Sequence, residues 1–196
     1  MRIEVEKLLQ DLEVFGLEHD YTKETREERL RNVSKEMGQF LSIMVKMCEA
    51  KHILEIGTSN GFSTIWLANA AEKTKGTVTT VELSSKRVAE ANENFQKANL
   101  TNYIHIHNQE AGAFLSEQLD KSYDFIFLDA ERTQYLWWWE DLKRILMPKS
   151  IIVVDNATSH AEELQNFFDL VEEEKKFETV LLPFKMGAYV MRKKVK

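Results

Sequence analysis

His52-Ile53-Leu54-Glu55-Ile56-Gly57-Thr58-Ser59-Asn60-Gly61-Phe62-Ser63-Thr64-Ile65-Trp66-Leu67-Ala68-Asn69-Ala70-Ala71 decides how the rest of this chain is read. The apolar residues from Ile53 to Ile56 make a short buried strand, Gly57 to Gly61 a turn, and a helix starts near Phe62. Glycine at both ends of the turn permits positive φ and close backbone approach. The helix start offers amide N–H groups at the mouth of the sheet. A strand, a glycine turn and a helix form the place where open α/β sheets bind nucleotides. The spacing here is Gly-x-x-x-Gly, with Ser59 where a dinucleotide fingerprint has its second glycine, so a pyrophosphate is a poor guest. The acid Glu55 ahead of the first glycine also disfavours phosphate and suits a cationic ligand with an amino group.

Working outward, Gly76 to Glu82 is a second strand, rich in Thr and Val, that ends in a carboxylate. Two strands joined by one helix form a right-handed βαβ unit with parallel strands, which sets Glu82 beside the Gly57 turn. A carboxylate there can accept hydrogen bonds from both vicinal hydroxyls of a ribose. Ser84 to Asn99 is an amphipathic helix, and Tyr103 to His107 an alternating strand. His105 and His107 share a face of that strand, where an edge strand commonly exposes polar residues rather than holding a metal.

Tyr123 to Asp129 is an almost wholly apolar run, as expected of a central parallel strand buried on both faces, and it ends in Asp129. Glu131 to Met147 reads as a helix, and Pro148 turns the chain into Ser150 to Asn156, a second buried strand ending in an acid and an amide. Neighbouring parallel strands would bring Asp129, Asp155 and Asn156 together as hard oxygen donors, incomplete in number, suited to Mg²⁺ or a similar cation. Taken singly, Asp129 as a helix cap and Asp155-Asn156 as a turn explain themselves equally well. Ser159 and Glu162 have the spacing of a capping box opening a last helix, Ala161 to Lys175. Two short strands, Phe177 to Leu182 and Ala188 to Arg192, close the chain.

Upstream, Met1 to Phe15 has a helical pattern that Gly16 is expected to end, and Thr25 with Glu28 has capping-box spacing. A long amphipathic helix then places Leu30, Val33, Met37, Phe40, Leu41, Met44, Val45 and Cys48 on one side. With 196 residues and 43% hydrophobic content the chain fits one domain, residues 1–50 covering the site and 51–196 forming the α/β core. A net charge of −6 argues against nucleic-acid binding, and the basic tail Arg192 to Lys196 reads as a solvated end. The single cysteine, Cys48, excludes an intrachain disulfide and fits a reducing, cytoplasmic setting; its apolar neighbours predict a buried thiol. No run has the length of a membrane span and the N-terminus has no signal pattern. Trp137-Trp138-Trp139 cannot all face one core, since successive helical residues point about 100° apart. The ring left over suits a neighbouring helix or a homodimer contact.

Leu54-Glu55-Ile56-Gly57-Thr58-x-x-Gly61-x-Ser63-x-x-x-Leu67-Ala68 resembles motif I of the S-adenosylmethionine-dependent O-methyltransferases related to the catechol and caffeoyl-CoA enzymes. Tyr123 to Ala130 with Tyr135 resembles the same family's Phe-Asp-x-Ile-Phe-x-Asp-Ala-x-Lys-x-x-Tyr, Asp155-Asn156 its second metal motif, and Met37 to Ser42 its Gly-Gln-Phe-Leu segment. The resemblance is close from Met37 to Asn156. It implies a Rossmann-like class I fold: a seven-stranded, mostly parallel sheet with a C-terminal antiparallel strand and helices on both faces. Carried over residue by residue, it implies S-adenosylmethionine at Met37, Glu55, Gly57, Thr58, Ser59, Gly61, Ser63, Glu82, Leu83, Glu110, Ala111 and Asp129. Leu83 would flank the adenine; Glu110 would accept from the adenine amino group or simply serve its helix's first turn. Asp129, Asp155 and Asn156 would hold the divalent cation, with Asp129 and Arg132 at the reacting centre.

The family's catalytic lysine falls on Arg132, which stays protonated and cannot accept a proton. Lys185 to Tyr189 also lacks an acid that relatives place near the substrate. The expected activity is methyl transfer to a hydroxyl of a small catechol-like or other diol acceptor. A metal-independent methyltransferase and a non-catalytic S-adenosylmethionine-binding protein are the alternatives.

Overall fold

The computed structural model describes residues 1–25 and 28–194. Two N-terminal helices, α1 (Ile3–Tyr21) and α2 (Lys35–Met47), precede β1 (His52–Ile56), α3 (Phe62–Thr74), β2 (Thr77–Glu82), α4 (Ser85–Lys97) and β3 (Ile104–Asn108). Then come α5 (Ala111–Glu117), β4 (Tyr123–Leu128), α6 (Tyr135–Ile145), β5 (Leu146–Asp155), α7 (Ala161–Glu174), β6 (Phe177–Leu182) and β7 (Ala188–Lys193). The strands form one sheet in the order β3-β2-β1-β4-β5-β7-β6. The first five are parallel, and β7 runs antiparallel to both β5 and β6.

Side-chain alternation sorts the sheet into two packed faces. Ile53, Val78, Phe125, Phe127 and Val153 join one core with Val5 and Leu9 of α1, Met37 and Leu41 of α2, Leu67 of α3 and Phe95 of α4. Leu54, Ile56, Ile126, Leu128 and Val154 join the other with Phe114 of α5, Trp139 of α6 and Phe167 of α7. Order reverses between β1 and β4, since β2 and β3 lie to one side and β5 to the other. That switch point opens a crevice at the carboxyl ends of the strands. Gly57 (φ 104°) sits there, and a Cβ on it would overlap the Asp129 carbonyl oxygen. Only glycine lets the turn after β1 pass so close to the end of β4.

Several local expectations are corrected. α1 runs through Gly16 to Tyr21, because Gly16 is an inward position where Asn32 packs against the bare backbone. α2 starts only at Lys35, capped by Ser34, which accepts from the Met37 amide at 3.2 Å. Leu30 and Val33 are buried from a loop instead, held where the Asp20 carboxylate accepts the Leu30 and Arg31 amides at 2.6 and 2.8 Å. Thr25 donates to Glu28 at 2.9 Å, but no helix follows at once; positions 26 and 27 between them lie outside the described residues, as do Val195 and Lys196 of the basic tail. Cys48 is exposed at the C-terminal end of α2, not buried. The predicted helix over 131–147 is shorter, a 3₁₀ turn (Arg132–Gln134) leading into α6, and β5 already begins at Leu146 and runs through Pro148. The Ser159–Glu162 box does not form: α7 has His160 at its N-cap without a side-chain cap, and Ser159 Oγ turns to Asn156 and to His160 Nδ1.

Of the tryptophan run, Trp138 and Trp139 are buried, and Trp137 is 80% exposed. His105 and His107 stand exposed on β3. Among the described residues no helix is long and apolar enough to cross a membrane.

α2 lies against α3 through Gly38, where any Cβ would fall on the Trp66 indole. The indole is itself buried and cannot swing away. Gly38→Ala is therefore expected to destabilise the fold by about 1–3 kcal/mol, the usual cost of overpacking, as read from urea unfolding midpoints.

Candidate active site at the sheet switch point

The carboxyl ends of β1, β2, β4 and β5 open into one cavity of about 1020 Å³. Gly57, Thr58, Ser59, Ser63, Glu82, Leu83, Glu110, Ala111, Asp129, Arg132, Asp155 and Asn156 all line it, so the structure gathers most of the residues singled out from the sequence. Three do not line it. Met37 is buried in the α1–α4 core because its stripe with Leu41 and Val45 faces inward. Gly61 belongs to the turn, but Phe95 and Ala91 of α4 occupy the space beside its Cα. Glu55 is wholly buried beneath the turn. Its Oε1 accepts from Ser63 at 2.6 Å; its Oε2 accepts from Thr80 at 2.7 Å and from Thr64. Burial pushes its carboxyl up to about 7, against the pull of those three hydroxyls and with the negative charge of Asp129 adding to the rise.

Glu82 is already engaged by the chain. Ser59 N donates to one oxygen and Ser84 N to the other, both at 2.9 Å. Each oxygen keeps a further lone pair, so the carboxylate is aimed and still able to accept. Leu83 beside it is exposed, while Glu110 is the N-cap of α5, accepting from the Gly112 and Ala113 amides at 2.8 and 2.7 Å. Those bonds make Glu110 a support for the first turn of α5.

At the far end, Asn156 Nδ2 donates to Asp155 Oδ2 at 2.7 Å and reaches Asp129 Oδ1 at 3.4 Å. Burial raises both carboxyls well above the ordinary range, and Asp129's negative charge pushes Asp155 higher still. Arg31 and Arg132 oppose the rise at Asp129. Arg132 is 3% exposed; its Nε donates to Glu163 of α7 at 2.8 Å, and its Nη2 is buried without a hydrogen-bond partner among the described residues. Tyr135, whose hydroxyl accepts from the Ala130 amide at 2.9 Å, fixes the backbone just past Asp129.

Two features escaped the sequence. Arg29 to Ser34 line the cavity from above the turn, tied down where Ser59 Oγ donates to the Leu30 carbonyl at 2.9 Å. Glu163 anchors Arg132 from an element thirty-one positions on. Neither has a periodic or spacing signal, since both contacts arise where irregular segments cross.

A buried acid, Asp155, and a half-buried one, Asp129, that repel each other, with an amide beside them, are a donor set whose charge conflict a divalent cation would relieve. Turning the Asn156 amide over would offer its oxygen as a third donor. Among the described residues, no group of three or more His, Cys, Asp or Glu side chains could hold a metal ion, so this set would leave positions for other oxygens.

The sequence matches the O-methyltransferase family over residues 10–194. It is 36% identical over 129 residues to a catechol O-methyltransferase of Niastella koreensis, covering 64% of this chain and 58% of the relative. A catechol O-methyltransferase of Mycobacterium tuberculosis is 33% identical over 125 residues, covering 64% and 56%. The chain thus matches less than three fifths of the length of these two relatives. In fold, it superposes on the Bacillus cereus O-methyltransferase in complex with SAH with a TM-score of 0.80, at 25% identity, covering 99% of this chain and 92% of that one. The SAH-bound methyltransferase of Podospora anserina gives 0.81 at 19% identity, covering 100% and 89%. With the family match spanning nearly the whole chain, and the switch-point cavity built from the residues of its motifs, this protein belongs to the O-methyltransferase family.

Proposed function

We propose that the chain moves a methyl group from S-adenosylmethionine to a hydroxyl of a small catechol-like or other vicinal-diol acceptor. The observation that carries this reading is one cavity with Glu82 aimed across the glycine turn at one end and the Asp129–Asp155 pair with Arg132 at the other. The two relatives named as catechol O-methyltransferases support the acceptor class, and the SAH held by the Bacillus cereus enzyme supports the donor.

In this reading Glu82 accepts from the ribose hydroxyls, with its orientation already set by Ser59 and Ser84. Arg132, fixed by Glu163, keeps a permanent positive charge beside the acceptor and stabilises the oxyanion without taking its proton. The proton leaves to water, the methyl passes from sulfur to oxygen, and the thioether and the methyl ether are the products. Asp129, Asp155 and Asn156 would hold a divalent cation whose charge lowers the pKa of a hydroxyl placed next to it. A second reading, transfer without metal, is favoured by one observation: Arg31 and Arg132 already set positive charge against Asp129. Turnover of a catechol with and without chelator separates the two.

Calorimetry with S-adenosylhomocysteine should show binding to the wild type, weakened in Glu82→Ala by roughly 1.5–3 kcal/mol, the range for hydrogen bonds to a charged group. Unchanged affinity would remove Glu82 from the ribose. The acid pair gives a separate test by thermal melting at pH 8. Without divalent ions, Asp155→Asn should melt a few degrees higher than wild type, since one of two repelling charges is gone. Mg²⁺ at ten times its Kd should stabilise the wild type by roughly 1.4 kcal/mol and leave the variant unmoved. A wild type indifferent to Mg²⁺ and to other divalent ions supports the metal-free reading.

A further inference from the structure

Glu55 is the one acid of the glycine-turn region that the proposed chemistry does not use, although it is fully buried directly below that chemistry. Its three hydroxyl partners differ in their access to the cavity. Thr64 and Thr80 are sealed, while Ser63 lines the cavity. Ser63 is the second residue of α3, and the N-cap, Gly61, has no side chain to cap that helix start. The Ser63 amide is thus among the N–H groups that a helix start cannot satisfy internally, where the dipole favours an anion. On the reading proposed above, the anion available to this corner is the carboxylate of the donor's amino-acid end.

A serine hydroxyl has one hydrogen. While Glu55 is ionised, Ser63 spends that hydrogen on Glu55 Oε1 and turns only lone pairs toward the cavity, which would repel a carboxylate. If Glu55 carries a proton, it donates to Ser63 Oγ, and the Ser63 hydrogen is released toward the ligand. We infer that Glu55 is a positioning residue that takes up a proton when the amino-acid end of the ligand binds, converting Ser63 from an acceptor into a donor for the ligand carboxylate. The proton comes from solvent through the cavity and the Ser63 hydroxyl, and it returns there on ligand release. The groups facing Glu55 are Ser63 and Thr64 from α3, Thr80 from β2 and, as the ionisable neighbour, Asp129 at the end of β4. Burial, the largest influence on Glu55, favours the neutral acid and outweighs the three hydroxyls that favour the ionised form, so the proton is readily added near pH 7.

The test is calorimetry at pH 7.5 in phosphate and in Tris, whose different ionisation enthalpies count the protons exchanged. The probes are S-adenosylhomocysteine and 5′-methylthioadenosine, which lacks the amino-acid end. Wild type should take up a substantial fraction of a proton with the first and none with the second. Its affinity for the first should fall as pH rises above about 7, by at most tenfold per unit. Glu55→Gln mimics the neutral acid, because its amide donates permanently to Ser63. That variant should bind S-adenosylhomocysteine within a few fold of wild type at pH 7, with no uptake attributable to this site. Ser63→Ala should lose affinity for S-adenosylhomocysteine alone, and Glu55→Gln in that background should change nothing more. Uptake that persists in Glu55→Gln, equal loss of both probes in that variant, or no uptake by wild type overturns the inference. A wild type that binds neither nucleoside overturns the donor reading itself.

Discussion

Everything at the functional end of this protein depends on how closely two backbones pass at Gly57. The turn after β1 runs against the Asp129 carbonyl with no room for a Cβ, so β1 and β4 can be neighbours right up to their carboxyl ends. Because order reverses between these two strands, the close pass sets the turn and Glu82 on one side and Asp129 and Asp155 on the other, around one cavity. A bulkier residue would force the strand ends apart and separate the nucleoside end of the site from the acid pair.

Around that constraint the electrostatics are arranged by depth. Glu82 lies at the cavity wall, aimed by two amides and still free to accept. Glu55 lies below, out of water, holding hydroxyls. The acid pair stands at the far end with both carboxyls raised, and two arginines partly balance it. Raised carboxyls of this kind cost folding stability once ionised, and they persist where the site needs their charge.

The sheet was legible because strands buried on both faces must be apolar along their length, as in 125–128 and 151–154, and because each such run stops at a polar residue. The acids at those stops needed only parallel pairing to converge. Glu55 shows where the sequence said nothing of depth. Placed before a glycine it looked like a ligand contact, yet alternation puts it on the face of Ile53, under α3. The N-terminal segment was read least well, for a different reason. Asp20 captures the amides of Leu30 and Arg31, so a stretch with helical periodicity is bent into a loop by a side chain ten residues earlier. Such a capture has no period. Cys48 was misplaced in the same way, as an apolar stripe said nothing of where α2 would end.

The three consecutive tryptophans give the molecule optical reporters in distinct surroundings. Trp137 stands in water, Trp139 is packed against Phe167 and Phe177 with Lys143 near its ring, and Trp138 forms part of the cavity wall. A ligand that fills the cavity changes the polarity around the middle indole while leaving its two neighbours as they were. Against a constant contribution from the fourth tryptophan, Trp66, buried beside Gly38, emission from an otherwise unlabelled chain therefore carries an occupancy-dependent component from the middle of three adjacent residues.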